Sequence, residues 1–251
     1  MLRSFIIIFL LVFVGSLSTA QISGNWKLTG PDAFPVNVSG QINGIGRVCQ
    51  IKFHPSADSI VYAVSASGGL FISRDHGVNW NVTGTDQLPR TACSSVCIDY
   101  TNDSILYLST GDPNYYGTDY GIYKSTDGGI TWNPANATIG NRMALEMLMD
   151  PTDHQTIIAA TNDGIFKTND GGLTWTVKKS GGAFTDMVFK AAAGSDTVFA
   201  ATTNSFWLSA DKGETWNQVP IPVPSGNTAD GIRIGVSTVN PEQIGRASCR
   251  E

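Results

Sequence analysis

Basic residues are scarce in this sequence. Lys and Arg number 16 against 21 Asp and Glu, for a formal net charge of −5, and no stretch carries the basic stripe that binding to a phosphate backbone requires. Nucleic acid is therefore not an expected partner. Histidine and cysteine are scarcer still, at 3 and 4. His54, His76 and His154 are scattered among turns and no Cys/His group has zinc-ligand spacing, so neither a metal nor a cofactor is expected. A sustained 3.6-residue apolar period is also missing, which leaves essentially no helix to expect. There is no Gly-x-Ser-x-Gly elbow and no Ser/His/Asp set for nucleophilic hydrolysis. No apolar run reaches the ~20 residues of a membrane helix.

The longest such run, Phe5–Val14, follows a basic start at Arg3 and precedes small Ser18 and Ala20, the pattern of a signal peptide cleaved after Ala20. Residues 1–20 are read as that leader, and the protein as secreted or displayed at the cell surface with no membrane span after cleavage. At the other end "GIRIGVSTVNPEQ" reads as the start of a further repeat, and "IGRASCRE" (Ile244–Glu251) interrupts it. The octapeptide matches the in-frame translation of a short-read sequencing adapter. Residues 244–251 are set aside as non-native, and further sequence and domains are expected beyond Gln243. Cys249 leaves with them. Of the other thiols, Cys93 and Cys97 share one apparent strand and lie about 13 Å apart at ~3.3 Å per residue, too far for a disulfide. Small buried thiols are the favoured reading for Cys49, Cys93 and Cys97, with a bridge from Cys49 to one of the others left open.

What the sequence does have is a repeat. "SRDHGVNW", "STDGGITW", "TNDGGLTW" and "SADKGETW" all fit [ST]-x-D-x-G-x-[TN]-W, at intervals of roughly 40 to 50 residues, the size of a propeller blade. Aligned on these boxes, each unit begins with an alternating segment: "VCQIKF", "SSVCI", "ALEMLM", "FTDMVF". A second strand follows a polar turn ("IVYAV", "ILYLS", "TIIAA", "TVFAA"), and a third ("GLFIS", "GIYKS", "GIFKT", "SFWLS") runs into the box. The tryptophan opens a fourth. Four short strands per unit define an all-β fold, a β-propeller of four-stranded antiparallel blades. Residues 21–243 are expected to form four blades and the start of a fifth in an incomplete ring, with "SGNWKLTG" (Ser23–Gly30) as a candidate closing strand.

The box chemistry suits the hairpin between third and fourth strands. The Asp is expected to accept N–H groups two or three residues on. The Gly supplies a positive φ, and the indole packs between neighbouring units. The motifs resemble the Asp-box, or BNR, repeats of sialidases, sortilin ectodomains and xyloglucanase-type glycoside hydrolases, over the span from Gly46 to Gly231. That resemblance implies that the boxes stabilise blade peripheries, away from any ligand. A structural role is accordingly expected for Ser73, Asp75, Gly77 and Trp80, for Ser125, Asp127, Gly129 and Trp132, for Thr168, Asp170, Gly172 and Trp175, and for Ser209, Asp211, Gly213 and Trp216.

A ligand site belongs instead over the central channel. The longest link between second and third strands, "GDPNYYGTDYG" (Gly111–Gly121), brings acids and aromatic faces together, the groups that sugar binding and glycoside hydrolysis use. Asp112, Tyr115, Tyr116 and Asp119 are candidate ligand contacts, and Asp112 and Asp119 the candidate acids if there is catalysis. Arg47 and Arg142 lead into apparently equivalent strands and are candidate anion contacts. The resemblance tests two activities. A sialidase needs an arginine trio and an "FRIP"-like opening that the sequence lacks. The xyloglucanase-type general base lies in a segment like "YARTDVGG", matched here by "YAVSASGG", which puts Ala66 where the Asp would stand. Alanine cannot take a proton from water. The expectation is a module that binds a polysaccharide or a protein without cleaving it; the alternative is a xyloglucanase-like hydrolase.

Overall fold

The computed structural model describes residues 47–115, 121–191, 194–221, 231–237 and 239, and the backbone of 244–248. Residues 1–20, the "SGNWKLTG" segment, Tyr116 and Asp119 lie outside the described residues.

Four antiparallel four-stranded blades form a β-propeller. Blade I comprises β1 (Val48–Phe53), β2 (Val61–Ser65), β3 (Gly69–Ser73) and β4 (Asn81–Val82), and blade II β5 (Cys93–Ile98), β6 (Leu106–Thr110), β7 (Gly121–Ser125) and β8 (Asn133–Pro134). Blade III comprises β9 (Ala144–Asp150), β10 (Asp153–Thr161), β11 (Gly164–Thr168) and β12 (Thr176–Ser180), and blade IV β13 (Phe184–Phe189), β14 (Val198–Thr202), β15 (Phe206–Ser209) and β16 (Asn217–Val219). A two-stranded sheet follows, β17 (Ile232–Val236) against β18 (Ile244–Ser248). Its second strand falls within the octapeptide read as non-native; a free strand edge pairs with any extended segment, whatever its origin. Among the described residues one 3₁₀ turn, Gly84–Gln87, is the whole of the helix.

Burial between blades holds the arrangement together. Tyr62, Val64, Leu70 and Ile72 of blade I pack on Val96 and Ile98 of blade II. Tyr107 and Ile122 of blade II pack on Met147, Met149 and Phe166 of blade III. Ile158, Ala160 and Ile165 of blade III pack on Met187, Val198 and Ala200 of blade IV. The innermost strand of each blade thus presents two apolar residues to the blade before it: Val96 and Ile98, Met147 and Met149, Met187 and Phe189. Register puts Ile51 and Phe53 of β1 at the same positions, yet they are 57 % and 68 % exposed.

The boxes fold alike. The Asp75 carboxylate accepts the Asn79 N–H at 2.8 Å, and the equivalent bonds from Thr131, Thr174 and Thr215 are 2.9, 2.8 and 2.9 Å. The shortest of these bonds thus reaches four residues on, and the N–H three residues on, as expected, also favours the ionised carboxylate. The first hydroxyl of each box donates to the same carboxylate at 2.7–2.8 Å. That hydroxyl also accepts the N–H of the box glycine. Gly77, Gly129, Gly172 and Gly213 all have positive φ, as expected, and so does the residue before each: His76, Gly128, Gly171 and Lys212. These preceding residues donate their N–H groups to the Ser59, Ser104, Gln155 and Asp196 carbonyls of their own blade, Gln155 lying within β10 and the others in the loop between the first two strands.

Candidate functional site

The site is built by a register irregularity that recurs in every blade. Pairing of each innermost strand with the next skips one residue near its start: Cys49 in β1, Ser94 in β5, Leu145 in β9 and Thr185 in β13. A β-bulge bends its strand and re-aims the side chains around it. All four bulged residues line one cavity of about 440 Å³, within the range of small-ligand sites. Gln50, Glu146 and Asp186, each directly after a bulge, line it too, as do Arg47, Asn114 and Arg233.

Its polar groups are tied to one another across the axis. Gln50 Nε2 donates to Glu146 at 2.9 Å, and Lys52 forms an ion pair with the same carboxylate. Burial pushes the Glu146 carboxyl above the usual carboxylate range, although the Lys52 ammonium pulls it the other way. Gln50 Oε1 accepts the Val96 N–H at 2.9 Å, and Asp186 accepts the Ile234 N–H at 2.7 Å, so these side chains also bridge adjacent innermost strands. Arg233 Nη1 donates to the Thr185 carbonyl at 2.6 Å.

At the mouth, Arg47 forms an ion pair with Asp112. The two come from different blades, and the Asn114 N–H at 2.9 Å also fixes the Asp112 carboxylate. Tyr115, bridged to Asp112 through the backbone, is 70 % exposed with its ring free on the surface. Arg142 is not brought to this group. It forks onto Asp163 at 3.0 and 3.1 Å, donates to the Ile139 carbonyl at 2.8 Å and lies over the Phe166 ring at 4.9 Å. The two arginines are not equivalent: Arg47 directly precedes β1, whereas Arg142 stands one residue further from β9. Their partners are equivalent, since Asp112 and Asp163 each lie two residues past the threonine that ends the second strand. Ala66 is buried, with its N–H on the Arg47 carbonyl at 2.9 Å.

The three thiols are free and buried or half-buried. Burial pushes Cys49 up to about 11 and Cys97 up to about 12, so both stay protonated and unreactive. The box carboxylates lie at the periphery. The cavity residues that sequence reasoning missed include Gln50, Glu146 and Asp186. They are legible only once "VCQIKF", "ALEMLM" and "FTDMVF" are stacked, where each puts a polar residue third.

The family described as BNR/Asp-box repeat matches residues 123–134, the box of blade II with its flanking strands. This chain is a BNR-repeat β-propeller. The propeller is 25% identical over 219 residues to a xyloglucanase of Hypocrea jecorina, covering 80% of this chain and 24% of that protein. It is 25% identical over 241 residues to a xyloglucanase of a Paenibacillus species, covering 81% and 23%. The crystal structure of an ancestral GH74 enzyme superposes with a TM-score of 0.64 at 20% identity, over 77% of this chain and 26% of that one. The propeller spans about a quarter of the length of these curated relatives. It is similar to a propeller module of such xyloglucanases. No helix among the described residues is long and apolar enough to cross a membrane.

Proposed function

We propose that this chain is an exported propeller module that binds a polysaccharide of the β-glucan class at the axial mouth and does not itself cleave it. The observation that carries the reading is the convergence of all four bulges on one cavity lined by hydroxyl, amide and charged groups, two basic and two acidic. Such a lining offers hydrogen bonds without a net charge, and the exposed Tyr115 ring beside it offers a stacking face for a sugar. The names of the relatives support a β-glucan ligand, and the leader-like Phe5–Val14 run with Ala20 supports export. Against catalysis, Arg47 already pairs the Asp112 carboxylate, and the Ala66 side chain has no group that can accept a proton.

Affinity electrophoresis through a xyloglucan gel, run beside a reducing-sugar assay, tests this. The chain is expected to be retarded, Tyr115→Ala to lose at least tenfold in affinity, and no sugar to be released. A second reading, hydrolysis, is favoured by one observation: the buried Glu146 carboxyl, with its raised pKa, resembles a general acid. Sugar release abolished in Glu146→Gln would establish that reading in place of binding alone.

A further inference from the structure

Blade IV carries a second cavity, of about 300 Å³, formed by the lead-in to β13 and the link between β14 and β15. Its meaning comes from comparison with blade III. Ala144 pairs with Thr161 and Phe184 with Thr202, which makes Arg142 equivalent to Gly182 and Asp163 to Asn204. Counting back from Thr168 and Ser209, Phe166 is equivalent to Trp207. The backbone agrees: the Asp163 and Asn204 N–H groups donate to the Thr161 and Thr202 hydroxyls at 3.1 and 3.3 Å. In blade III this place is filled by the Arg142 guanidinium, stacked on Phe166 and paired with Asp163. In blade IV the arginine is a glycine, the acid an amide and the phenyl ring an indole, and the cavity opens where the guanidinium stands in blade III.

We propose that this cavity binds one residue of a neutral saccharide, with its C–H face on Trp207 and its hydroxyls on Asn204 and Thr203. A cation is disfavoured on two counts. The carboxylate that would neutralise it is absent, and the Lys179 ammonium, which lies over the Trp207 ring at 4.7 Å without lining the cavity, would repel it. A neutral ring with hydroxyls matches what remains: an indole held by its N–H on Ser205 at 2.9 Å, exposed amide and hydroxyl groups, and space at Gly181, where a Cβ would meet nothing within 4 Å. The class of ligand rests on the reading above; the site does not, since it shares no lining residue with the axial cavity.

The test is ¹⁹F NMR of the full chain labelled with 5-fluorotryptophan and titrated with cellotetraose, with the Trp207 signal assigned by its loss in Trp207→Phe. The Trp207 signal is expected to shift in the parent chain and in Tyr115→Ala, and to stay fixed in Thr203→Arg, which refills the cavity from an exposed position. A Trp207 signal that stays fixed while Tyr115→Ala weakens binding overturns this site and leaves the axial reading standing. A Trp207 shift with Tyr115→Ala binding as well as the parent does the reverse. A shift that persists in Thr203→Arg also overturns this site.

Discussion

A single carboxylate organises each box, and its protonation is a stability question. Asn79, Thr131 and Thr174 donate hydrogen bonds that hold Asp75, Asp127 and Asp170 at about 2. At Asp211 desolvation pushes upward, and the bonds from Thr215 and Ser209 still hold it at about 2. A folded-state value below the unfolded 3.8 means that the stabilisation is complete above about pH 4 and is lost as pH falls toward 2. Thermal denaturation of Asp127→Asn across pH is therefore expected to show a lower Tm than the parent at pH 7 and convergence with it near pH 2; a constant gap would contradict the assignment. The left-handed His76, with φ of 60°, makes a second case. Gly128 and Gly171 fill the same box position without a Cβ penalty, so His76→Gly is expected to stabilise by about 0.5–1 kcal/mol, read by urea unfolding. The glycine conformations were legible in the sequence because φ > 0 selects Gly strongly. The four-residue reach of the Asp was not, because an Asx-turn motif looks the same in sequence for either reach.

Strands and their turns show how neighbouring blades are fastened. The carbonyl of Gly171, in the blade III box, accepts the buried Tyr107 hydroxyl at 3.0 Å and Lys124 Nζ at 3.2 Å from blade II. One blade further on, Lys167 repeats the lysine contact on the Lys212 carbonyl at 2.9 Å. The box is thus a fastening between blades as well as a turn within one. Tyr107→Phe keeps the ring in the core and removes one bond, so it is expected to cost about 1 kcal/mol, measured by urea denaturation with an unchanged m-value. Strand positions followed from apolar alternation and box spacing, and most ends agree within a residue. The bulges did not follow. Cys49, Ser94, Leu145 and Thr185 share no residue type, and an extra residue in a strand is invisible until its partner's register is known. Glu146 stayed hidden for a related reason: one acid in "ALEMLM" reads as a solvent-facing position when no second strand shows where it points.

At the scale of the whole molecule, repeat-equivalent residues meet different surroundings. Met149 is fully buried between blades II and III, while its counterpart Phe53 is largely exposed. Met149→Ala is expected to cost about 2–5 kcal/mol and Phe53→Ala less than about 0.5 kcal/mol, both from urea midpoints of this chain. A large cost at Phe53 would mean that something covers β1. Propeller class and blade order were readable because four spaced boxes constrain the whole chain, whereas the axial site depends on which strands meet around the axis, information no single unit carries. The recurring bulge has a consequence for how such a scaffold diversifies. The bulged residues sit in the one register position excluded from their own blade's ladder, and two of them reach the next blade instead: Cys49 Sγ donates to the Cys93 carbonyl at 3.1 Å and Ser94 Oγ to the Ala144 carbonyl at 2.8 Å. Mutation there changes the recognition surface and the fastening between blades together, so a new specificity in one blade constrains what its neighbour can carry at the equivalent position.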